Sequence, residues 1–193
     1  MKKGLIFVIS APSGAGKTTV INGFLKNRQD FYLSVSATTR KPRAGETDGT
    51  HYFFYTADKF KSLIKEGEFL EYARVLDNYY GTPKGPVINN TDEGRNVIMD
   101  VDIQGAANLK KKLKDKCVTI FIIPPSFAEL ESRLKNRKTE SEEDMKKRLE
   151  LGKKEMMERK KYDYIIMNDS VENAVKYLDY IVNLEIQEKG GSK

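Results

Sequence analysis

The apolar stretch Leu5-Ile-Phe-Val-Ile9, followed closely by Ala11-Pro-Ser-Gly-Ala-Gly-Lys-Thr18, decides how this chain folds. The apolar run predicts a buried strand, and the glycine-rich segment predicts a tight turn into a helix. Gly14 and Gly16 allow consecutive backbone N–H groups to curl around an anion, and the following helix points its positive dipole end at the same place. The stretch therefore predicts a phosphate-binding loop.

Two side chains at the end of this loop match the chemistry of nucleotide binding. Lys17 is expected to reach the β- and γ-phosphates of a nucleoside triphosphate, and the Thr18 hydroxyl is expected to ligate the Mg²⁺ that bridges them. The common pattern G-x-x-x-x-G-K-[ST] starts with Gly where this chain has Ala11, but the residues that surround the phosphate lie downstream. The alternative is an ordinary strand-to-helix turn with a chance Gly-Lys-Thr, which the apolar strand before it disfavours.

The composition is that of a compact protein with a positive net charge. At 193 residues the chain fits one domain with, at most, smaller inserted modules. Lys and Arg number 34 against 28 Asp and Glu, and the net charge of +6 suits a polyanionic ligand or nucleic acid equally. The chain has no Trp, and its aromatic residues do not alternate with basic ones as single-strand binding requires. We therefore expect small-molecule substrates and no nucleic-acid partner.

The sequence lacks the features of secreted and membrane proteins. Its single cysteine, Cys117, excludes an intramolecular disulfide and a multi-cysteine zinc site. There is no signal peptide of normal length, and no apolar run approaches the ~18 residues of a membrane span. We expect a cytoplasmic protein without a membrane partner, either a monomer or a homodimer.

Short apolar runs alternate with helical segments along the chain. After the first run come Val97–Val101, Cys117–Ile123 and Tyr164–Met167, which have the character of buried parallel strands. This predicts an α/β fold with a parallel sheet of the P-loop NTPase type, flanked by helices, and ligands beyond the carboxyl ends of its strands. Two segments interrupt the pattern: 34–83 predicts an inserted substrate-holding module, and the charged, helical segment 126–160 predicts a mobile cover.

Finer features are also predicted within these segments. Short aromatic strands are expected at 52–55 and 69–74, and a final helix over Val171–Ile186 is expected to pack back on the sheet before a frayed tail. Thr139-x-x-Glu142 has the form of a capping box that starts a helix in the cover.

Two carboxylates lie at alternating positions at the end of the strand Val97–Val101: Asp100 within it and Asp102 just after it. Both are expected near the carboxyl edge of the sheet, where Asp100 is the natural partner for Mg²⁺, held through water. The alternative is a pair of strand-end aspartates that cap the helix beginning near Gln104.

A second anion site is predicted in the inserted module. Arg40 and Arg43 lie in a constrained turn, where two planar guanidinium groups can clamp a second, separate phosphate. Tyr52 and Tyr80 offer hydroxyl groups that can donate to that phosphate. Acceptors suited to the N–H edge of a purine are Glu71, Thr82 and Asp102.

Three arginines in the predicted cover supply further positive charge. Arg133 and Arg137 are four residues apart and so share one helix face, and Arg148 follows in the next helix. If the cover closes, these cations would meet the transferring phosphoryl group.

Seven motifs in colinear order, spanning roughly Gly4 to Leu184, together resemble the guanylate kinase family. They are S-A-P-S-G-A-G-K-T-T from Ser10, S-V-S-A-T-T-R-K-P-R-A-G-E from Ser34, H-Y-F-F from His51, F-L-E-Y-A from Phe69, N-Y-Y-G-T from Asn78, D-V-D-I-Q-G from Asp100 and Y-D-Y-I-I-M-N-D from Tyr162. The resemblance implies a core of residues 1–36, 84–125 and 156–193, a GMP-binding domain at 37–83 and a lid at 126–155. It also implies Mg²⁺-dependent transfer of the ATP γ-phosphate to GMP, which gives ADP and GDP.

The resemblance also implies roles for individual residues. The catalytic set is Lys17, Arg43, Arg133, Arg137 and Arg148. The ATP-binding set is Ala11, Pro12, Ser13, Gly14, Ala15, Gly16, Lys17, Thr18, Thr19 and, near the adenine, Asn168. The GMP-binding set is Ser36, Arg40, Arg43, Tyr52, Glu71, Tyr80, Thr82 and Asp102. The metal set is Thr18 and, through water, Asp100. One departure is the lid motif, which usually reads G-R-G and here reads Asn136-Arg137-Lys138.

Two other functions remain open from the sequence. A non-catalytic guanylate-kinase-like module that binds phosphopeptides would keep the fold, but the intact Lys17, Thr18 and Asp100 favour an enzyme. A related kinase with a ribosyl phosphate as acceptor is the other alternative, and Glu71 and Asp102 favour a guanine base instead.

Overall fold

The structure is a computed structural model that describes residues 2–75, 77–135 and 142–191, with side chains for all of these except 142–148 and 190–191. The strands are β1 Ile6–Ser10, β2 Phe31–Leu33, β3 Ala37–Thr38, β4 Phe53–Phe54, β5 Phe69–Val75, β6 Asn78–Pro83, β7 Asn96–Asp100, β8 Cys117–Ile123 and β9 Tyr164–Met167. The α-helices are α1 Lys17–Leu25, α2 Ala57–Lys65, α3 Lys84–Asp92, α4 Ile103–Leu113, α5 Phe127–Lys135, α6 Glu142–Met157 and α7 Val171–Gly191. Short 3₁₀ turns occupy Lys114–Lys116 and Glu158–Lys161.

The strands form two sheets. The larger sheet has five strands in the order β2-β7-β1-β8-β9, and the smaller has four in the order β4-β3-β6-β5. In the larger sheet β2 pairs with β7 and β8 pairs with β9, both in parallel. The predicted α/β fold, a parallel sheet flanked by helices, is confirmed.

The chain divides into two compact units. The first contains Met1–Ile6, Asp30–Met99 and Gln104–Cys117, and the second contains Phe7–Gln29, Asp100–Ile103 and Val118–Lys193. The predicted division into a core, a GMP-binding domain at 37–83 and a lid at 126–155 stays a prediction. No helix in the described part of the chain combines the length and apolar character that crossing a bilayer requires.

In the first unit, helix α2 packs its one buried side chain against the small sheet. Phe60 is fully buried and stacks on Phe69, with ring centroids 4.4 Å apart, and on Tyr79, at 5.5 Å. The Thr56 side chain caps the start of α2 by accepting a hydrogen bond from the Lys59 N–H at 3.2 Å. The sequence pattern predicts only turns and strands here, so α2 was not predicted, although the cap at Thr56 is a sequence signal for it.

The second unit is organised around β1 and two packed helices. All five residues of β1 are buried. Helices α1 and α7 approach so closely at Gly23 that a Cβ there would lie 2.9 Å from Val175 Cγ2. The predicted C-terminal helix is confirmed, but it runs on past Ile186 to Gly191, and so includes the first two residues of the predicted Gly-Gly-Ser-Lys tail. An ion pair between Lys189 and Glu185, four residues apart, supports this extension.

We expect Phe60→Ala to lower the free energy of unfolding by about 3 kcal/mol or more, because it removes a fully buried aromatic ring from a stacked cluster. Tyr72→Ala is the matched control, since Tyr72 lies on β5 with 46% of its surface exposed, and it should cost less than about 1 kcal/mol. Urea unfolding followed by circular dichroism measures both values. Similar losses for the two variants would contradict the assignment of Phe60 to the core.

Candidate active site

The glycine-rich loop between β1 and α1 has the backbone conformation that its sequence predicts. Gly14 and Gly16 have φ values of 91° and 90°, in the left-handed region that favours glycine. Gly16 is the N-cap of α1, and a glycine supplies no capping side chain. The N–H groups in the first turn of α1 therefore have no capping side chain and no partner within the helix. They point towards the loop, where the helix dipole favours an anion.

A cavity of about 320 Å³ lies over this loop. Two carboxylates from later in the chain, Asp102 and Glu155, also line it. The loop residues that line it are Ala11, Pro12, Ser13, Gly14, Gly16, Lys17, Thr18 and Thr19.

Lys17 is held at the carboxyl end of β7. Its Nζ donates to the Val101 carbonyl oxygen at 2.7 Å and forms an ion pair with Asp100. The predicted phosphate-binding lysine and the predicted water-mediated metal partner are therefore in direct contact. The structure thus places a charge-balanced pair beside the loop.

The Asn168 side chain holds the backbone of the loop through a hydrogen bond to Ala15. Its Nδ2 donates to the Ala15 carbonyl oxygen at 2.7 Å, and its own N–H donates to the Ile123 carbonyl oxygen at 2.7 Å. Only 3% of Asn168 is exposed, so this amide contact is made away from water. The predicted contact of Asn168 with adenine stays a prediction, and its contact with the loop is an addition.

Arg133 also contacts the loop in this structure. Its NH2 donates to the Asn168 carbonyl oxygen at 3.1 Å and its NH1 to the Ala15 carbonyl oxygen at 3.4 Å. Glu129 holds the other side of the guanidinium group by accepting from Nε at 2.8 Å. Of the other predicted lid arginines, Arg137 lies outside the described residues. Arg148 lies in α6, and its side chain is also outside them.

Glu155 lines the loop cavity but was not predicted from the sequence. Its Oε2 accepts a hydrogen bond from the Ser13 N–H at 3.3 Å. Burial raises the pKa of the Glu155 carboxyl, Asp102 raises it further, and the Ser13 N–H and Lys17 act in the opposite direction. Because Glu155 lies in a helix rich in Glu and Lys, no motif distinguishes it in the sequence.

The second predicted anion site, in the first unit, is built around Arg40. Its NH1 and NH2 each donate to one oxygen of Glu46 at 2.9 Å, which is a bidentate pair. The backbone N–H of Arg43 donates to Glu46 Oε2 at 2.7 Å. These contacts, with the Arg40 guanidinium as the largest influence, lower the pKa of Glu46 to about 2. Glu46 was also missed, although it follows Arg43 by three residues in the same turn.

Aromatic side chains enclose the Arg40 guanidinium group. Its Cζ lies 5.6 Å from the ring centroid of Tyr52 and 5.8 Å from that of Phe54. The rings of Tyr52 and Tyr80 meet edge to face with centroids 6.2 Å apart. Glu46 chiefly, and Tyr80 to a lesser extent, raise the pKa of Arg40. The structure therefore brings three of the four predicted phosphate ligands together, and the side chain of the fourth, Arg43, is exposed.

Two predicted base contacts pair across strands β5 and β6. Glu71 and Thr82 lie opposite each other in the register, and Thr82 Oγ1 donates to Glu71 Oε1 at 2.9 Å. Both residues are buried. Ser36, another predicted contact, is half-buried and accepts a backbone hydrogen bond from the Phe53 N–H at 2.9 Å. Asp102 belongs to the second unit, where it lines the loop cavity.

The oxygen-bearing side chains near the loop suit a metal ion that is held mainly by water and substrate phosphates. Among the side chains that the structure describes, no group of three or more His, Cys, Asp or Glu is arranged to hold a metal ion. Mg²⁺ usually keeps several waters and takes only one or two protein oxygens beside substrate phosphates. Thr18, in the loop cavity, and Asp100, paired with Lys17, are of that kind.

Comparisons with known proteins point to guanylate kinases. A family model described as guanylate kinase matches residues 3–185. The guanylate kinase of Caldanaerobacter subterraneus subsp. tengcongensis is 48% identical over 184 residues, which is 95% of this chain and 89% of that protein. The guanylate kinase of Clostridium acetobutylicum is 50% identical over 184 residues, which is 95% of this chain and 87% of that protein. The crystal structure of guanylate kinase from Anaplasma phagocytophilum has a TM-score of 0.80 and 32% identity, and covers 96% of this chain and 87% of that one.

We expect Gly16→Ala to weaken ATP binding at least about tenfold, because its Cβ would lie 2.4 Å from Asn168 Nδ2 and displace the amide that holds the loop. Gly67→Ala is the control, since Gly67 also has a positive φ but nothing lies within 4 Å of its added Cβ. That variant should lose about 1 kcal/mol of stability through backbone strain and keep its ATP affinity. Calorimetric titration with ATP compares them. Equal ATP affinities for the two variants would show that the Asn168 contact does not shape the loop.

Proposed function

The chain belongs to the guanylate kinase family, and we propose that it transfers the γ-phosphate of ATP to GMP through the two anion sites described above. It is a nucleoside monophosphate kinase. The observation that supports these two sites is that each compact unit contains one group of residues suited to binding a phosphate. One is the glycine-rich loop with Lys17, and the other is Arg40 with its two tyrosines.

The loop is the proposed site for the triphosphate of ATP. Its N–H groups and Lys17 bind the β- and γ-phosphates, while Asn168 and Arg133 hold the loop in the required conformation. Phosphoryl transfer of this kind depends on positioning and charge neutralisation, so no residue needs to act as a covalent nucleophile.

Arg40 and its neighbours are the proposed site for the phosphate of GMP. Arg40 and Arg43 supply the positive charge, and Tyr52 and Tyr80 donate from their hydroxyl groups. Glu46 already holds Arg40 with both oxygens, so it orients the guanidinium group for an incoming phosphate.

The buried pair Glu71 and Thr82 is the proposed reader of the base. A Glu71 carboxylate accepts from guanine N1–H and the 2-amino group, neither of which adenine offers. Thr82 keeps one oxygen of that carboxylate oriented. Ser36 and Asp102 are proposed as additional guanine contacts.

The segment 126–155 is proposed as a lid that supplies cations to the transferring phosphoryl group. Arg133, Arg137 and Arg148 are its candidates, and closure over the substrates would exclude water from the reaction. Its boundaries, and those of a GMP-binding domain at 37–83, belong to this proposal.

Mg²⁺ is the proposed cofactor, held by the Thr18 hydroxyl and, through water, by Asp100. A bound Mg²⁺ would neutralise charge on the β- and γ-phosphates. Lys17 contacts Asp100 and so keeps this carboxylate at the end of the loop.

The remaining parts of the proposal concern setting and partners. We propose a cytoplasmic enzyme with ATP and GMP as its substrates, a monomer or homodimer, with no nucleic-acid or membrane partner. A phosphopeptide-binding module and a kinase for a ribosyl phosphate are not favoured, because the curated relatives are guanylate kinases.

We expect ADP to form rapidly from Mg·ATP when GMP is the acceptor, and slowly or not at all with AMP, CMP or UMP. A coupled assay for ADP measures all four acceptors in parallel, and Lys17→Ala, which loses the phosphate contact, should abolish the activity. A folded protein that binds GMP but shows no turnover with any acceptor would favour the phosphopeptide-binding module instead.

We expect Glu71→Gln to lower kcat/KM for GMP by about a hundredfold, because guanine loses a charged acceptor while the side chain keeps its size. The residual rate with AMP should not fall, so the preference for GMP over AMP shrinks. Glu68→Gln is the control, since Glu68 is an exposed glutamate close by in the chain. If Glu71→Gln retains the wild-type preference for GMP, Glu71 does not read the base.

A further inference from the structure

We propose that Glu155 sets the affinity of the glycine-rich loop for ATP, by holding its carboxylate at the Ser13 N–H where a phosphate must displace it. The inference rests on the proposed binding of the triphosphate in this loop. It assigns a role in ATP binding to a residue of helix α6 that forms no part of the recognised loop motif.

The contact joins the Glu155 carboxylate to a backbone N–H of the glycine-rich loop, beside the proposed phosphate site. Glu155 Oε2 accepts from the Ser13 N–H at 3.3 Å, and Glu155 lines the same cavity as Gly14, Lys17 and Thr18. A carboxylate and a phosphate both accept hydrogen bonds through negatively charged oxygens. They therefore compete for the same N–H group and the same positive field from Lys17.

Close packing fixes the position of Glu155. A Cβ on Gly14 would lie 3.0 Å from Leu134 Cδ2, so α5 packs directly on the loop. A Cβ on Gly152 would lie 2.9 Å from Leu130 Cδ2, so α6 packs directly on α5. Glu155 follows Gly152 by three residues and shares its helix face, which places the carboxylate at the loop. The contact is thus a consequence of how these helices pack.

The surrounding charges allow a phosphate to displace the Glu155 carboxylate from the Ser13 N–H. Burial and the charge of Asp102 raise the pKa of Glu155, so its ionised form is held at a cost, while the Ser13 N–H and Lys17 favour that form. A triphosphate brought into the cavity adds several negative charges beside Glu155. Because like charges at short range repel strongly inside a protein, Glu155 must withdraw for the phosphates to bind.

The competition is tested by removing the charge of Glu155 while keeping its shape. We expect Glu155→Gln to bind ATP at least about threefold more tightly than wild type, because one repulsive charge is gone. Inorganic tripolyphosphate should show the same gain, since the phosphates carry the effect. Isothermal titration calorimetry in the absence of GMP, at fixed ionic strength, measures both affinities without turnover.

Two further variants make each result decisive. Glu150→Gln removes an exposed charge from the same helix and should match wild type. Glu155→Asp keeps the charge on a shorter side chain and should fall between wild type and Glu155→Gln. Equal or weaker binding by Glu155→Gln, or an equal gain in Glu150→Gln, would overturn the proposal. If wild type and Lys17→Ala bind ATP alike, the loop is not the ATP site, and it is the proposed function that fails. Thermal unfolding confirms that each variant is folded.

Discussion

The hydrogen bond from Asn168 Nδ2 to the Ala15 carbonyl oxygen is the contact on which the conformation of the proposed phosphate-binding loop depends. A trans peptide directs its C=O and the following N–H to opposite sides, so holding the Ala15 oxygen on Asn168 turns the Gly16 N–H away from it. The left-handed glycines on either side make this peptide orientation possible. Arg133 adds a second donor to the same oxygen, and the start of α1 follows directly. The loop is thereby prepared for an anion before any ligand contributes energy.

A common feature of the two proposed anion sites is that a carboxylate of the protein already accepts hydrogen bonds from part of each. Glu46 accepts from the Arg40 guanidinium and the Arg43 N–H, and Glu155 accepts from the Ser13 N–H. The electrostatic settings differ: the guanidinium lowers the pKa of Glu46, whereas burial raises that of Glu155. We propose that Glu46 orients the Arg40 guanidinium group for a phosphate, whereas Glu155 is displaced from the Ser13 N–H by one. Hydrogen-bond donors held in place by the fold need an acceptor, and in this structure the Glu46 and Glu155 carboxylates supply it.

The sequence predicted the parts of the fold that depend on local pattern. The apolar runs at Cys117–Ile123 and Tyr164–Met167 became β8 and β9 with those bounds, because short continuous apolar runs favour parallel strands. Strand β8 is buried as predicted, but the predicted burial of β9 is wrong, because β9 lies at the edge of the sheet with Ile165 46% and Met167 48% exposed. Strand β2 was missed, since its three residues are too short to show a pattern. The motif predicted that Lys17 lies at the glycine-rich loop, and the structure places it in the wall of the loop cavity. Its role at a phosphate stays a prediction. Glu46 and Glu155 were not predicted, because their roles depend on contacts made after folding.

The proposed reaction moves the terminal phosphoryl group of ATP directly to GMP. The most direct measurement is a single-turnover reaction with [γ-³²P]ATP and GMP, separated by thin-layer chromatography. We expect the label to appear in GDP in step with the formation of ADP. Label found in inorganic phosphate, with GMP left unmodified, would contradict it, because the loop would then serve hydrolysis rather than transfer.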